Sequence, residues 1–142
     1  MTRVNLRRPT TNRFLTSGRP KLARLALVRG EKPHISSVWY LWQDGCFWIS
    51  TAEDRLKVKI IRENPHVALV IDTDTSPYEG VIVEGLAELT KSKLSEITLK
   101  IVERYVSKKD VKKQFESLMR APRVLIRIKP KKALDIMSYR RH

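Results

Sequence analysis

A chain of 142 residues is the size of one domain and long enough to bury a core without metal or disulfide staples. Its single cysteine, Cys46, excludes an intrachain disulfide, and its three histidines, His34, His66 and His142, form no cluster with metal-ligand spacing. No apolar run approaches the ~20 residues of a membrane span, and MTRVNLRRPTTNRF lacks the apolar core of a secretory signal, so the expectation is a soluble, reduced, cytoplasmic protein with no membrane partner. The net charge of +14 is concentrated at the ends: residues 1–24 hold seven Lys/Arg and no acid, residues 121–142 hold seven and one acid, and residues 25–120 carry only +1. Such ends could grip nucleic-acid phosphates non-specifically or attract an anionic ligand by their field. They are equally the surface of a very soluble or heat-resistant protein.

In chain order, residues 1–23 read as a basic lead-in with Pro9, Gly18 and Pro20 as breakers and Phe14 and Leu15 able to dock; a single domain follows over 24–142. Leu25 to Val28 is a first strand, and the turn-rich Arg29-Gly30-Glu31-Lys32-Pro33 leads into a second at His34. Asp44-Gly45 then predicts a type I′ hairpin turn, because both residues readily take φ > 0. That turn sets a register in which Gln43 faces Cys46, Trp42 faces Phe47, Leu41 faces Trp48, Tyr40 faces Ile49, Trp39 faces Ser50 and Val38 faces Thr51. Side chains alternate across a sheet, so Val38, Tyr40, Trp42, Phe47, Ile49 and Thr51 share one face, while Trp39, Leu41, Trp48 and Ser50 share the other. Both faces are largely apolar, which predicts cover on both sides.

Ser50 with Glu53, and more weakly Thr51 with Asp54, has the form of a capping box, which predicts a helix over about 52–63. Leu56, Val58 and Ile60 alternate as in a strand, but the cap and the Asn64-Pro65 stop decide for helix. Two readings of its start remain open. The free N–H groups, two hydroxyls, Arg55 and Lys57 could seat a phosphate, or they are an ordinary cap on a solvated basic helix.

His66 to Asp72 is a fourth strand, Thr73 to Gly80 a loop, and Val81 to Leu89 a fifth strand in which Gly85 predicts a bulge or a close backbone approach. Leu94, Ile97, Ile101 and Tyr105 recur at helical spacing over 92–106, and a second helix over 110–120 turns Val111, Phe115, Leu118 and Met119 inward. Val124, Ile126 and Ile128 make a sixth strand. The fold class expected is mainly β (α+β), a six-stranded antiparallel β-barrel with accessory helices. There is no Gly-rich nucleotide fingerprint.

The words LALV at Leu25, Pro33-His34-Ile35-Ser36 leading to Val38-Trp39-Tyr40, FWIST from Phe47, Lys57 upstream of Arg62-Glu63-Asn64-Pro65, and Val83-Glu84-Gly85-Leu86-Ala87-Glu88 stand in a familiar order. Together they resemble the pyridoxamine 5′-phosphate oxidase-like family of flavin-binding split β-barrels, across residues 14–130. The resemblance implies a homodimer with two FMN molecules, each in the groove between subunits. It places Ser50 and Thr51 at the strand-end hydroxyl position and Lys57 at the phosphate lysine, with Arg55 a second cation nearby. It also places Ser36, Ser37, Val38 and Trp39 on the strand whose backbone lies along the flavin ring. Leu56 stands where an arginine is common, Gly80 where the vitamin-B6 oxidases carry a polar flavin contact, and the tail ALDIMSYRRH lacks their Trp and Arg substrate signature. These departures weigh against pyridoxamine phosphate as substrate. Because relatives use FMN, a deazaflavin or haem in one groove, three functions compete: an FMN oxidoreductase, which is favoured; a deazaflavin-dependent reductase; and a non-enzymatic flavin- or nucleic-acid-binding module. Catalytic residues are not identified, and His34 and Cys46 are read as structural.

Overall fold

The Asp44-Gly45 dipeptide makes the turn its chemistry predicts, with φ of 55° and 71°. It joins β4 (Leu41–Gln43) to β5 (Cys46–Ala52). The register is the expected one for three pairs: Leu41↔Trp48, Trp42↔Phe47 and Gln43↔Cys46. Beyond them the ribbon splits. The segment predicted as one long strand is two, β3 (Lys32–Val38) and β4, and Val38 pairs with Ala23 of β2 (Ala23–Arg29) instead of Thr51. Tyr105 explains the break. Its hydroxyl accepts the Tyr40 N–H at 3.2 Å and donates to the Lys21 carbonyl at 2.5 Å, while its ring stacks on Trp39 at 5.0 Å with 1° between planes. Tyr40 is thereby satisfied without a strand partner, and the pairs predicted for Val38, Trp39 and Tyr40 do not form.

The computed structural model describes residues 2–18 and 20–136. Three more strands complete the sheet: β6 (His66–Asp72), β7 (Gly80–Thr90) and β8 (Arg123–Asp135), with a short β1 (Thr2–Arg3) against β8. All pairs are antiparallel, in the order β3-β2-β6-β7-β8-β5-β4. Among the described residues, eight strands thus stand where the sequence predicts six, and the sheet curls without closing: a split β-barrel in an α+β fold. Its concave face holds the core, where Leu25, Phe47, Ile49, Leu69, Ile71, Val83, Ile126 and Ile128 are nearly all inaccessible. Gly85 fulfils both readings of it. The β7–β8 register slips at Glu84/Gly85, and a Cβ there would lie 2.6 Å from the Lys129 carbonyl oxygen.

Among the described residues, four α-helices pack around this sheet or on one another. Residues read as a lead-in form α1 (Pro9–Thr16), with Pro9 in the first turn, where a missing N–H costs nothing. It docks Leu15 into the core, and the Leu15 carbonyl accepts the Tyr40 hydroxyl at 2.8 Å. The helix expected from residue 52 is α2 (Leu56–Glu63), and no side chain caps it. The capping box fails because Ser50, Thr51 and Ala52 stay in β5, paired with Leu125, Val124 and Arg123 of β8. Ladder bonds win over a cap. The helix α3 (Leu94–Tyr105) lays Ile97 and Ile101 on Cys46, Trp48 and Leu125, the outer face of the hairpin. Both apolar faces of the hairpin are therefore covered within the chain. A 3-10 turn (Lys108–Asp110) leads into α4 (Val111–Met119), which has no fully buried residue: Val111, Phe115, Leu118 and Met119 face inward only by half. No described helix is long and apolar enough to cross a membrane.

Candidate functional site

The departure of β3 from β5 opens a groove of about 420 Å³, within the range of small-ligand sites. Ser37 and Val38 at the end of β3, with Trp39 just after it, form one wall, and Ser50 and Thr51 from β5 form the other. Residues Ile49 to Ala52 pair with β8 on one side only; the side facing the groove has no strand partner among the described residues. At the C-terminal end of β5 the chain turns, with the Glu53 N–H bonded to the Pro122 carbonyl at 3.0 Å, and delivers Arg55 and Lys57 into the groove.

Seven of the eight residues singled out in the sequence line this groove: Ser37, Val38, Trp39, Ser50, Thr51, Arg55 and Lys57. Ser36 does not. It lies further back along β3, where it lines a smaller cavity of about 220 Å³ that also touches Arg55 and Lys57, and its buried hydroxyl has no hydrogen-bond partner. Thr51 is 6 % exposed and within reach of a ligand. Ser50 is differently employed: its hydroxyl is 2.8 Å from the Thr98 hydroxyl and accepts the Arg123 Nε–H at 3.1 Å. Trp39 keeps its place on the wall through its stack on Tyr105. The other two tryptophans are core: Trp42 donates to Asn12 Oδ1 at 3.0 Å and Trp48 to the Gln43 carbonyl at 2.9 Å.

Arg123 and Thr98 were not picked out by sequence reasoning. Both sit opposite Ser50 only because β8 and α3 are brought there from 73 and 48 residues away. No local pattern marks either. With Arg123, the groove holds three cations, and among the described residues no carboxylate lines it. Burial first, and crowding second, bears on two of them. Burial, then Arg55 and Arg123, hold the Lys57 ammonium below its ordinary value, and burial, then Arg55, do the same to the Arg123 guanidinium. Like charges gathered in a half-buried groove with no carboxylate in its lining make a positive potential there, which attracts anions. Hydroxyls and cations suit a phosphate. Among the described residues no group of His, Cys, Asp and Glu could hold a metal ion.

No protein of curated function matches the sequence. Among solved structures, an F420 reductase is 26% identical, with 82% of this chain and 90% of that one covered at a TM-score of 0.64. A conserved hypothetical protein from Mycobacterium tuberculosis is 24% identical, covering 95% and 87% at a TM-score of 0.76. A FAD-binding protein from Mesorhizobium loti is 19% identical, covering 89% of both chains at 0.64. The last two likenesses speak to the fold alone. The family model for pyridoxamine 5′-phosphate oxidase matches residues 9–137, from the first turn of α1 past the end of β8, and a match of that extent places the chain in that family.

Proposed function

We propose that this protein is a flavin-type oxidoreductase that holds its cofactor in the groove between β3 and β5, with FMN the first candidate. The observation that carries the reading is the groove itself: a strand edge and an aromatic wall at one end, three uncompensated cations at the other. A flavin has the matching shape, a flat ring system with hydrogen-bonding edges and a ribityl phosphate. Lys57, Arg55 and Thr51 hold the phosphate, Ser37 to Trp39 border the ring, and Ser50 works behind them. Hydride or electron transfer is the bound cofactor's own chemistry; the chain supplies position and electrostatics. Pyridoxamine phosphate is not favoured as substrate, and most of the tail that bears on it, Met137 to His142, lies outside the described residues.

Removing Lys57 deletes a charge-assisted contact of roughly 1.5–3 kcal/mol. Lys57→Ala is expected to weaken FMN about ten- to a hundred-fold while leaving riboflavin, which lacks the phosphate, nearly unchanged. Fluorescence-quenching titrations decide this, and equal losses for the two ligands would remove Lys57 from the site.

A second reading, a deazaflavin-dependent reductase, is favoured by the surplus of positive charge and by the 26% identity to an F420 reductase. The two separate by spectrum. FMN that co-purifies is yellow and absorbs near 450 nm, whereas a dissociable deazaflavin leaves the protein colourless until it is added back.

A further inference from the structure

Arg123 is held from behind. Its Nε–H and one Nη2–H donate to Ser50, to the hydroxyl at 3.1 Å and the carbonyl at 3.0 Å, and one Nη1–H donates to the Leu118 carbonyl at 3.4 Å. A guanidinium has five N–H donors, so these bonds leave one on each terminal nitrogen. The Ser50 hydroxyl is itself fixed by Thr98, which is wholly buried. Three elements, β5, α3 and the end of α4, therefore clamp one planar cation at the groove wall with a donor pair to spare.

The sheet register says which part of the groove Arg123 serves. It pairs with Ala52, the last residue of β5, after which the turn carries Arg55 and the start of α2 carries Lys57. Thus Arg123 stands at the cationic end, away from the Trp39 wall. The like-charge effects of Arg123 on Lys57 and of Arg55 on Arg123 say the same. The bonds to Ser50 and Leu118 hold it beside two other cations, in a groove whose lining has no carboxylate to pair with it.

We propose that Arg123 is the third anion-binding residue of the groove, presenting its two uncommitted N–H groups to the same oxyanion that Lys57 and Arg55 attract. The inference rests on the flavin reading only for the identity of the oxyanion's carrier. A phosphate monoester at about −1.5 to −2 is the group best matched to three cations and to a fork that binds two oxygens at once.

The test titrates FMN and riboflavin against wild type, Arg123→Gln and Arg123→Lys, with inorganic phosphate as an arm that needs no flavin. Arg123→Gln is expected to weaken FMN about ten- to a hundred-fold and riboflavin less than about twofold, while Arg123→Lys, which keeps the charge but loses the fork, falls between. Equal losses for both flavins, or none for either, overturn the proposal in favour of a purely structural tie. Should wild type bind neither flavin, the flavin reading fails and phosphate decides. A melting temperature raised by millimolar phosphate in wild type but not in Arg123→Gln then supports Arg123, and no rise, or the same rise in both, overturns it. If Arg123→Gln does not fold, Arg123→Lys carries the test, and affinity for FMN equal to wild type refutes the two-oxygen contact.

Discussion

Tyr40 ties three distant parts of the chain together from inside the core. Its ring lies in the core against Phe47, its hydroxyl donates to the Leu15 carbonyl, its N–H goes to Tyr105, and the Arg104 guanidinium sits 5.0 Å from the ring centre. Burial drives its phenol far above the ordinary value of 10.0, and Arg104 opposes only part of the shift. The folded state therefore keeps a proton that the unfolded chain loses near pH 10, so Tyr40 costs stability as pH rises above that point. In an absorbance titration at 295 nm, Tyr40 is expected to ionise only together with unfolding, and Tyr40→Phe to shift alkaline unfolding upward. All tyrosines ionising before any loss of circular dichroism would contradict this. Lys57 has the opposite sign. Its lowered value means the unfolded chain binds the extra proton just below 10.5, so its own contribution improves as pH rises toward that value.

At the scale of elements, the β7–β8 pair shows how one residue shapes a strand. The bulge at Glu84/Gly85 bends the longest pair of strands, and Gly85 is required because backbone stands where a side chain would go. A methyl group 2.6 Å from a carbonyl oxygen cannot be absorbed by rotating a side chain. Gly85→Ala is expected to destabilise by about 1–3 kcal/mol through overpacking, with no selective effect on FMN over riboflavin. Urea unfolding measures it, and an unchanged midpoint would show that β8 yields. The helix α4 is the opposite case. Its inward residues are only half-buried, and Leu118 and Gln114 border the groove, so its packing depends on what lies beside it.

For the whole molecule, the apolar hairpin no longer argues for a dimer, since α3 and the core cover its two faces. Another surface takes over that argument. Ile35 is 72 % exposed and Val28 41 %, on neighbouring β3 and β2, with Leu56 at 46 % beside Ile35 in the smaller cavity. This strip runs along the open edge of the sheet next to the groove. We propose that a second copy of the chain covers it and closes the cofactor site, as the family resemblance implies. Light scattering at micromolar concentration is expected to give a dimer, and Ile35→Glu a monomer with weakened FMN binding. A wild-type monomer would refute both the interface and the shared groove.

Local chemistry determined much of this protein. Asp44-Gly45 made its hairpin turn, the periodicity over 94–105 made α3, Gly85 made its bulge, and the alternating faces of Tyr40, Trp42, Phe47 and Ile49 went to the core. The turn, the helix and the alternation depend on neighbours within a few residues, so a linear reading suffices; Gly85 is marked by its missing side chain, although the carbonyl it makes room for is that of distant Lys129. The cationic end of the groove was legible as far as Arg55 and Lys57, which follow β5 directly in the chain. What the tertiary structure decided lies where distant segments compete for one backbone group. Tyr105 takes the Tyr40 N–H and splits the ribbon, β8 holds Ser50 to Ala52 in a ladder and delays α2, and the same register sets Arg123 behind Ser50. Those outcomes turn on which partner reaches a donor first in space, and residues 65 or 73 apart carry no periodic signal of their meeting.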